Sequence, residues 1–80
     1  MVDRLTSMSV FVKAAELGSF AAAAEALSLS AQMVAKHVAW LEARLGVRLL
    51  NRTTRRQSLT DIGRSYYERC RMVLAEAEAA

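Results

Sequence analysis

Proline is absent from the 80 residues, and glycine (3), cysteine (1), histidine (1) and aromatic side chains (6%) are scarce. A lone cysteine, Cys70, cannot close an internal disulfide, and the sequence offers no Cys/His cluster for zinc. No apolar run approaches the roughly 20 residues that span a bilayer. The stretch from Met1 to Arg4 carries charges of both signs and leads into an amphipathic pattern, which is not a secretory signal. The expected setting is a reducing cytoplasm, with no membrane partner. One histidine, no Ser/His/Asp set, no close carboxylate pair in an apolar setting and no glycine-rich phosphate loop argue against an enzyme. No cofactor or metal is expected.

What is present reads as one small helical domain. The chain has a mass of 8.8 kDa and is 54% hydrophobic, too apolar for a disordered tail. Its long Ala/Leu/Glu/Arg-rich stretches favour helix. A core this size is modest and leaves room for a partner subunit. The net charge is +3, and its distribution is uneven. Between positions 36 and 56 stand Lys36, Arg44, Arg48, Arg52, Arg55 and Arg56 against Glu42 alone, while each flank is slightly acidic. Such a stretch is either a solvated face kept for solubility or a surface for a polyanion, most often nucleic acid.

Periodicity organises the chain. Leu5, Met8, Phe11, Val12 and Ala15 recur at helical spacing between Arg4 and Leu17 and predict a helix with that face inward. Gly18 suits a left-handed cap and Ser19 the start of a second helix, Phe20 to Ser28. Ser30 then caps a third helix from about Ala31 to Leu45, ending at Gly46. With 3.6 residues per turn, Val34, Val38, Leu41 and Leu45 share a narrow apolar arc of that helix. The opposite arc holds Gln32, Lys36, Ala39 and Ala43, with Met33, Ala35 and Trp40 at its margins. A surface helix usually fills that arc with long charged side chains; small ones let it lie close to a large surface. Beyond Gly46, "VRLL" and "QSL" can pair as a hairpin across the polar tip "NRTTRR". Thr60 caps a last helix running to about position 78, with Ile62, Tyr66, Cys70, Val73 and Ala77 along one face and Tyr67 and Leu74 beside them.

The short "LSLS" between the second and third helices has the length of a helix-turn-helix turn. In that motif the following helix enters the major groove, and the arginine-tipped hairpin serves as a wing. The basic stretch alone is equally compatible with a helical protein-interaction or RNA-binding module. The combination of short turn, alanine-faced third helix and arginine-tipped hairpin favours duplex DNA.

At this point the sequence resembles the amino-terminal DNA-binding domain of LysR-type bacterial transcriptional regulators. The resemblance rests on "FVKAAELGSFAAAAEALSLS" and "VAKHVAWLEARLGVRLLNRTTRRQSLTDIG", and covers essentially the whole chain. It implies an all-α fold with a small β-hairpin: a winged helix-turn-helix over residues 1–60, then a linker helix over 61–80 through which two chains dimerise. It also implies sequence-specific binding of a pseudo-palindromic operator, the helix at about 31–45 in the major groove and the wing at 51–57 on the backbone or minor groove. In family members a separate effector-binding domain follows. An inducer is therefore expected to act only through that domain, which these 80 residues do not contain.

Carried over by position, the resemblance places DNA contacts at Ser30, Ala31, Gln32, Met33, Ala35 and Lys36, and the minor-groove arginine at Arg55. The family more often has Gln at position 31, Ser or Thr at 35 and a basic residue at 39. Here all three are alanine, which shifts readout toward thymine methyls at Met33 and Ala35, and toward Gln32 and Lys36. Arg52 and Arg56 serve equally as further DNA contacts or as partners of Glu42 or Asp61. His37 reads as a structural histidine, Trp40 as boundary packing and Cys70 as packed and inert. Ile62, Tyr66, Cys70, Val73, Leu74 and Ala77 either cap the core or, since the last helix outruns it, pack against a second copy.

Overall fold

Each helix starts at a residue whose side chain accepts from a backbone N–H that lacks a partner within the helix. Asp3 accepts from Thr6 N at 2.8 Å to open α1 (Arg4–Leu17), and Ser19 accepts from Ala22 N at 2.9 Å to open α2 (Phe20–Leu27). Ser30 accepts from Met33 N at 3.1 Å at the start of α3 (Ala31–Leu45). Strands β1 (Leu50–Arg52) and β2 (Gln57–Leu59) follow, then α4 (Asp61–Ala79), capped by Thr60. This computed structural model describes residues 3–52 and 57–80, positions 52 and 57 by their backbone. Among them, no helix is long and apolar enough to cross a membrane.

The first and third helices end at the left-handed glycines Gly18 and Gly46. Between α2 and α3 a serine does the same work: Ser28 holds φ at 58°, and Leu29 N donates to Ala24 O at 2.9 Å. Ser30 follows at once as the next cap, so α2 and α3 are joined by a tight turn.

Helix α1 is the post against which the others pack. On one side Val10 and Ala14 meet Ala23 and Ala24 of α2 and Val34 of α3. The methyl-sized alanines allow close approach of the helices. On the other side Met8 and Phe11 meet Val38 and Leu41 of α3, Leu49 and Leu50 at the base of the hairpin, and Cys70 of α4. Between these clusters lies a buried polar pair: Ser7 Oγ and His37 Nδ1 share a hydrogen bond of 2.9 Å. His37 is thus the structural histidine its position suggested, and burial pushes its pKa below the ordinary 6.5.

Three expectations change. The inward face of α1 includes Ser7, Val10 and Ala14, whereas Leu5 is 49% exposed. Leu45, at the end of the apolar arc of α3, is 43% exposed. The first strand begins at Leu50, not Val47, because the N–H groups of Leu49 and Leu50 turn back to the carboxylate of Glu42. The hairpin is antiparallel with Leu50 opposite Leu59, Asn51 opposite Ser58 and Arg52 opposite Gln57.

Helix α4 is moored at its start. Thr60 N donates to Leu49 O at 3.1 Å, and its hydroxyl donates to Arg48 O at 2.7 Å. The same oxygen accepts from Gly63 N at 2.8 Å. Gly63 sits so close to the segment just before β1 that a Cβ would collide with the carbonyl oxygen of Leu49.

Two predictions follow from this packing. Gly63→Ala is expected to lower unfolding free energy by about 1–3 kcal/mol in urea denaturation, because the colliding atom is backbone and cannot turn aside. That loss outweighs the gain of about 1 kcal/mol that alanine brings to a helix. Folding favours neutral His37, so the unfolded chain binds its proton more readily. Stability is expected to be full above pH 6.5 and to fall as pH drops below it. Urea midpoints at pH 7 and pH 5 should show this fall in the parent, and a smaller one in His37→Gln.

Candidate nucleic-acid interface

Helix α3 has two unlike sides. Val34, His37, Val38 and Leu41 are buried against α1 and the hairpin base. Gln32, Lys36, Ala39 and Ala43 on the other side are exposed, as are Ser30 and Ala31 at its start. Met33 and Ala35 are half-buried at the margins. The structure therefore brings the expected α3 positions together on one open strip of small side chains around Lys36. The Ser30 hydroxyl is engaged as the helix cap. Trp40 is half-buried, with the Arg44 guanidinium 5.0 Å from its ring centroid, so it packs at the boundary as expected.

The hairpin continues from the same helix. Arg52 closes its last described pair, with Gln57. The wing-tip arginines Arg55 and Arg56 and the side chain of Arg52 lie outside the described residues.

The six positions assigned to a dimer face divide. Cys70 is fully buried in the monomer core, and burial pushes its thiol up to about 11, so it is protonated, inert and unavailable to a partner. It is removed from that face because α1 and the hairpin already cover it. Tyr66 is half-buried, its ring 5.7 Å from that of Phe11 at 43°. Leu74 is half-buried as well. Ile62, Val73 and Ala77 remain open, the first two at 51% and 41% exposure.

Ile62 and Val73 line a groove of about 690 Å³, together with the uncovered Leu5 and Leu45. Three helices thus leave their surplus apolar side chains at one place. Arg4, Arg44 and Arg69 line the same groove.

Sequence reasoning did not find the work of Glu42 and Gly63. The first appeared as a charge among cations and a possible arginine partner, and its carboxylate also accepts from two backbone N–H groups. The second lay at a helix start and gave no sign of the backbone of Leu49 close by. Among the described residues no group of three or more potential metal ligands comes together.

Known proteins share this arrangement. An HTH-type transcriptional repressor of Pseudomonas aeruginosa is 48% identical over 77 residues, which is 96% of this chain and 24% of that protein. The HTH-type transcriptional activator AaeR of Escherichia coli is 48% identical over the same length, 96% of this chain and 25% of its own. The chain thus spans about a quarter of the length of these curated relatives. The crystal structure of the CbnR DNA-binding domain in complex with DNA superposes with a TM-score of 0.92 at 35% identity, covering 96% of this chain and 88% of that one. Residues 5–64 match the profile of the bacterial regulatory helix-turn-helix protein, lysR family. The tight α2–α3 turn, the half-open third helix and the short hairpin are therefore those of a LysR-type winged helix-turn-helix, and the chain belongs to that family.

Proposed function

We propose that the chain is a sequence-specific double-stranded DNA-binding module of a bacterial transcriptional regulator, acting as a homodimer and without enzymatic activity. Residues 1–60 are its winged helix-turn-helix, and 61–80 its linker helix. The observation that carries the reading is the open strip of α3, with Lys36 among Gln32, Ala39 and Ala43, on a helix whose other face is locked into the core. A major groove about 12 Å wide admits a helix, and small side chains let its axis come deep. In this reading Gln32, Met33, Ala35 and Lys36 face bases or phosphates from the first turns of α3, beside Ser30 and Ala31. Arg52, Arg55 and Arg56 approach the backbone or minor groove from the wing. Most of the affinity comes from cations replacing counterions on phosphate, and specificity comes from α3. The solved complex of CbnR with DNA, at 35% identity, supports the same use of the same fold here.

The dimer is proposed to form through α4. Ile62 and Val73 are open and share a groove with Leu5 and Leu45, and Ala77 is open farther along α4. A two-fold pair buries that surface once for each copy and presents two α3 helices to a pseudo-palindromic operator. Any response to a small-molecule inducer is assigned to sequence outside these 80 residues, and the setting is proposed to be the cytoplasm.

Selection of bound duplexes from a random pool is expected to return an inverted repeat, bound with strong salt dependence and in preference to RNA. Recovery of no common sequence, or equal binding of RNA, would reject the reading. Against the selected duplex, Lys36→Ala should weaken binding and reduce the salt slope by about one, and Arg55→Ala should cost about 1–3 kcal/mol. Unchanged binding would remove the residue concerned from the interface. Sedimentation on the same duplex should give two copies for the parent. Val73→Glu should shift it toward one, and a parent that stays monomeric at every concentration on DNA rejects the dimer.

A further inference from the structure

The segment from Gly46 to Leu50 links α3 to the hairpin, and four of its backbone donors converge on one residue. Gly46 N and Val47 N donate to the carbonyl oxygen of Glu42 at 2.8 and 3.3 Å. Leu49 N and Leu50 N donate to the carboxylate Oε2 of the same residue at 2.8 and 3.4 Å. The side chain therefore reaches seven and eight residues ahead, past the end of its own helix, to the first residue of β1.

We propose that Glu42 is a positioning residue that fixes the wing at a set angle to α3, so that wing and recognition helix meet DNA as one rigid surface. This rests on the DNA-binding reading above. Leu49 and Leu50 are buried, so their N–H groups need partners, and a carboxylate is the stronger type of acceptor. The carbonyls of Arg48 and Leu49 are held by Thr60 instead. The base of the hairpin is thus pinned to α3 through its donors and to α4 through its acceptors. The lever arm explains why the angle matters. The paired strands run from Leu50 opposite Leu59 to Arg52 opposite Gln57, about 7 Å of ladder, and a tilt of about 15° at the base would carry its far end about 2 Å. A displacement of that size breaks any hydrogen bond made there.

Glu42 is also the sole acid between positions 36 and 56, which gives the proposal a rival of opposite sign. If its charge acted only on the field around the site, removing it would strengthen DNA binding, and Glu42→Gln and Glu42→Ala would do so alike. If it positions the wing, Glu42→Ala weakens binding while Glu42→Gln, which keeps an acceptor oxygen, retains most of it.

The experiment measures affinity of the parent, Glu42→Ala, Glu42→Gln, Arg55→Ala and the Glu42→Ala/Arg55→Ala double variant for the duplex selected by the parent. Backbone amide hydrogen exchange at Leu49 and Leu50 is followed in the same proteins without DNA. Faster exchange at both amides in Glu42→Ala is expected. Its affinity should fall by about tenfold, comparable to Arg55→Ala, with the double variant no weaker than the weaker single. Equal strengthening by Gln and Ala, unchanged exchange, or additive losses in the double variant overturns the proposal. If Glu42→Ala does not fold, Glu42→Gln decides: parent-like exchange and affinity support positioning, and tighter binding rejects it. Failure of the DNA-binding reading is recognised separately, because the parent would then select no duplex.

Discussion

Leu49 and Leu50 enter the core with their peptide groups, and a buried peptide must find partners for both its donor and its acceptor. Neither a helix nor a strand supplies them at this point, because α3 has ended and β1 has only begun. The donors go to the Glu42 carboxylate and the acceptors to Thr60. Satisfying two peptides thus determines how α3, the hairpin and α4 are joined. It also explains the glycine in the first turn of α4: the helix start is drawn so near the Leu49 carbonyl that no side chain fits.

From that joint, α3 acquires its contrast. One side is held by α1, with Val34, Val38 and Leu41 in apolar contact and His37 bonded to Ser7. The other side is exposed, and the residues there are short apart from Gln32 and Lys36. In the proposed function, rigidity behind and brevity in front are the two conditions a groove-reading helix needs. The charge follows the same geography, since the excess cations lie along α3 and the hairpin that continues it.

Helix α4 shows how a single apolar stripe can serve two ends. Its period brings Ile62, Tyr66, Cys70, Val73 and Ala77 onto one side, but the core reaches only part of it. Cys70 is sealed beneath α1 and Tyr66 leans on Phe11, while Ile62 and Val73 stay open beside Leu5 and Leu45. The apolar surplus of three helices gathers in one groove, which is why a second copy is the proposed cover.

Helix existence, helix starts and the basic stretch were all readable along the chain, because each depends on neighbours a few residues away. A cap reaches three positions, an amphipathic face repeats within four, and charge is a tally; Ser19, Ser30, Thr60 and the open strip of α3 were placed on those grounds. The wing tip was also assigned from composition, though it lies outside the described residues. Which members of each apolar stripe would be covered was not readable, nor was the destination of the Glu42 carboxylate or the tight fit at Gly63. Those outcomes depend on residues seven or more positions away in the chain, as from Glu42 to Leu49, from Leu49 to Gly63 or from Phe11 to Tyr66, and a local period holds no information about such surfaces. They came into being when α1, the hairpin and α4 closed on one another, because burial and the satisfaction of buried peptides belong to assembled neighbours and not to any one segment.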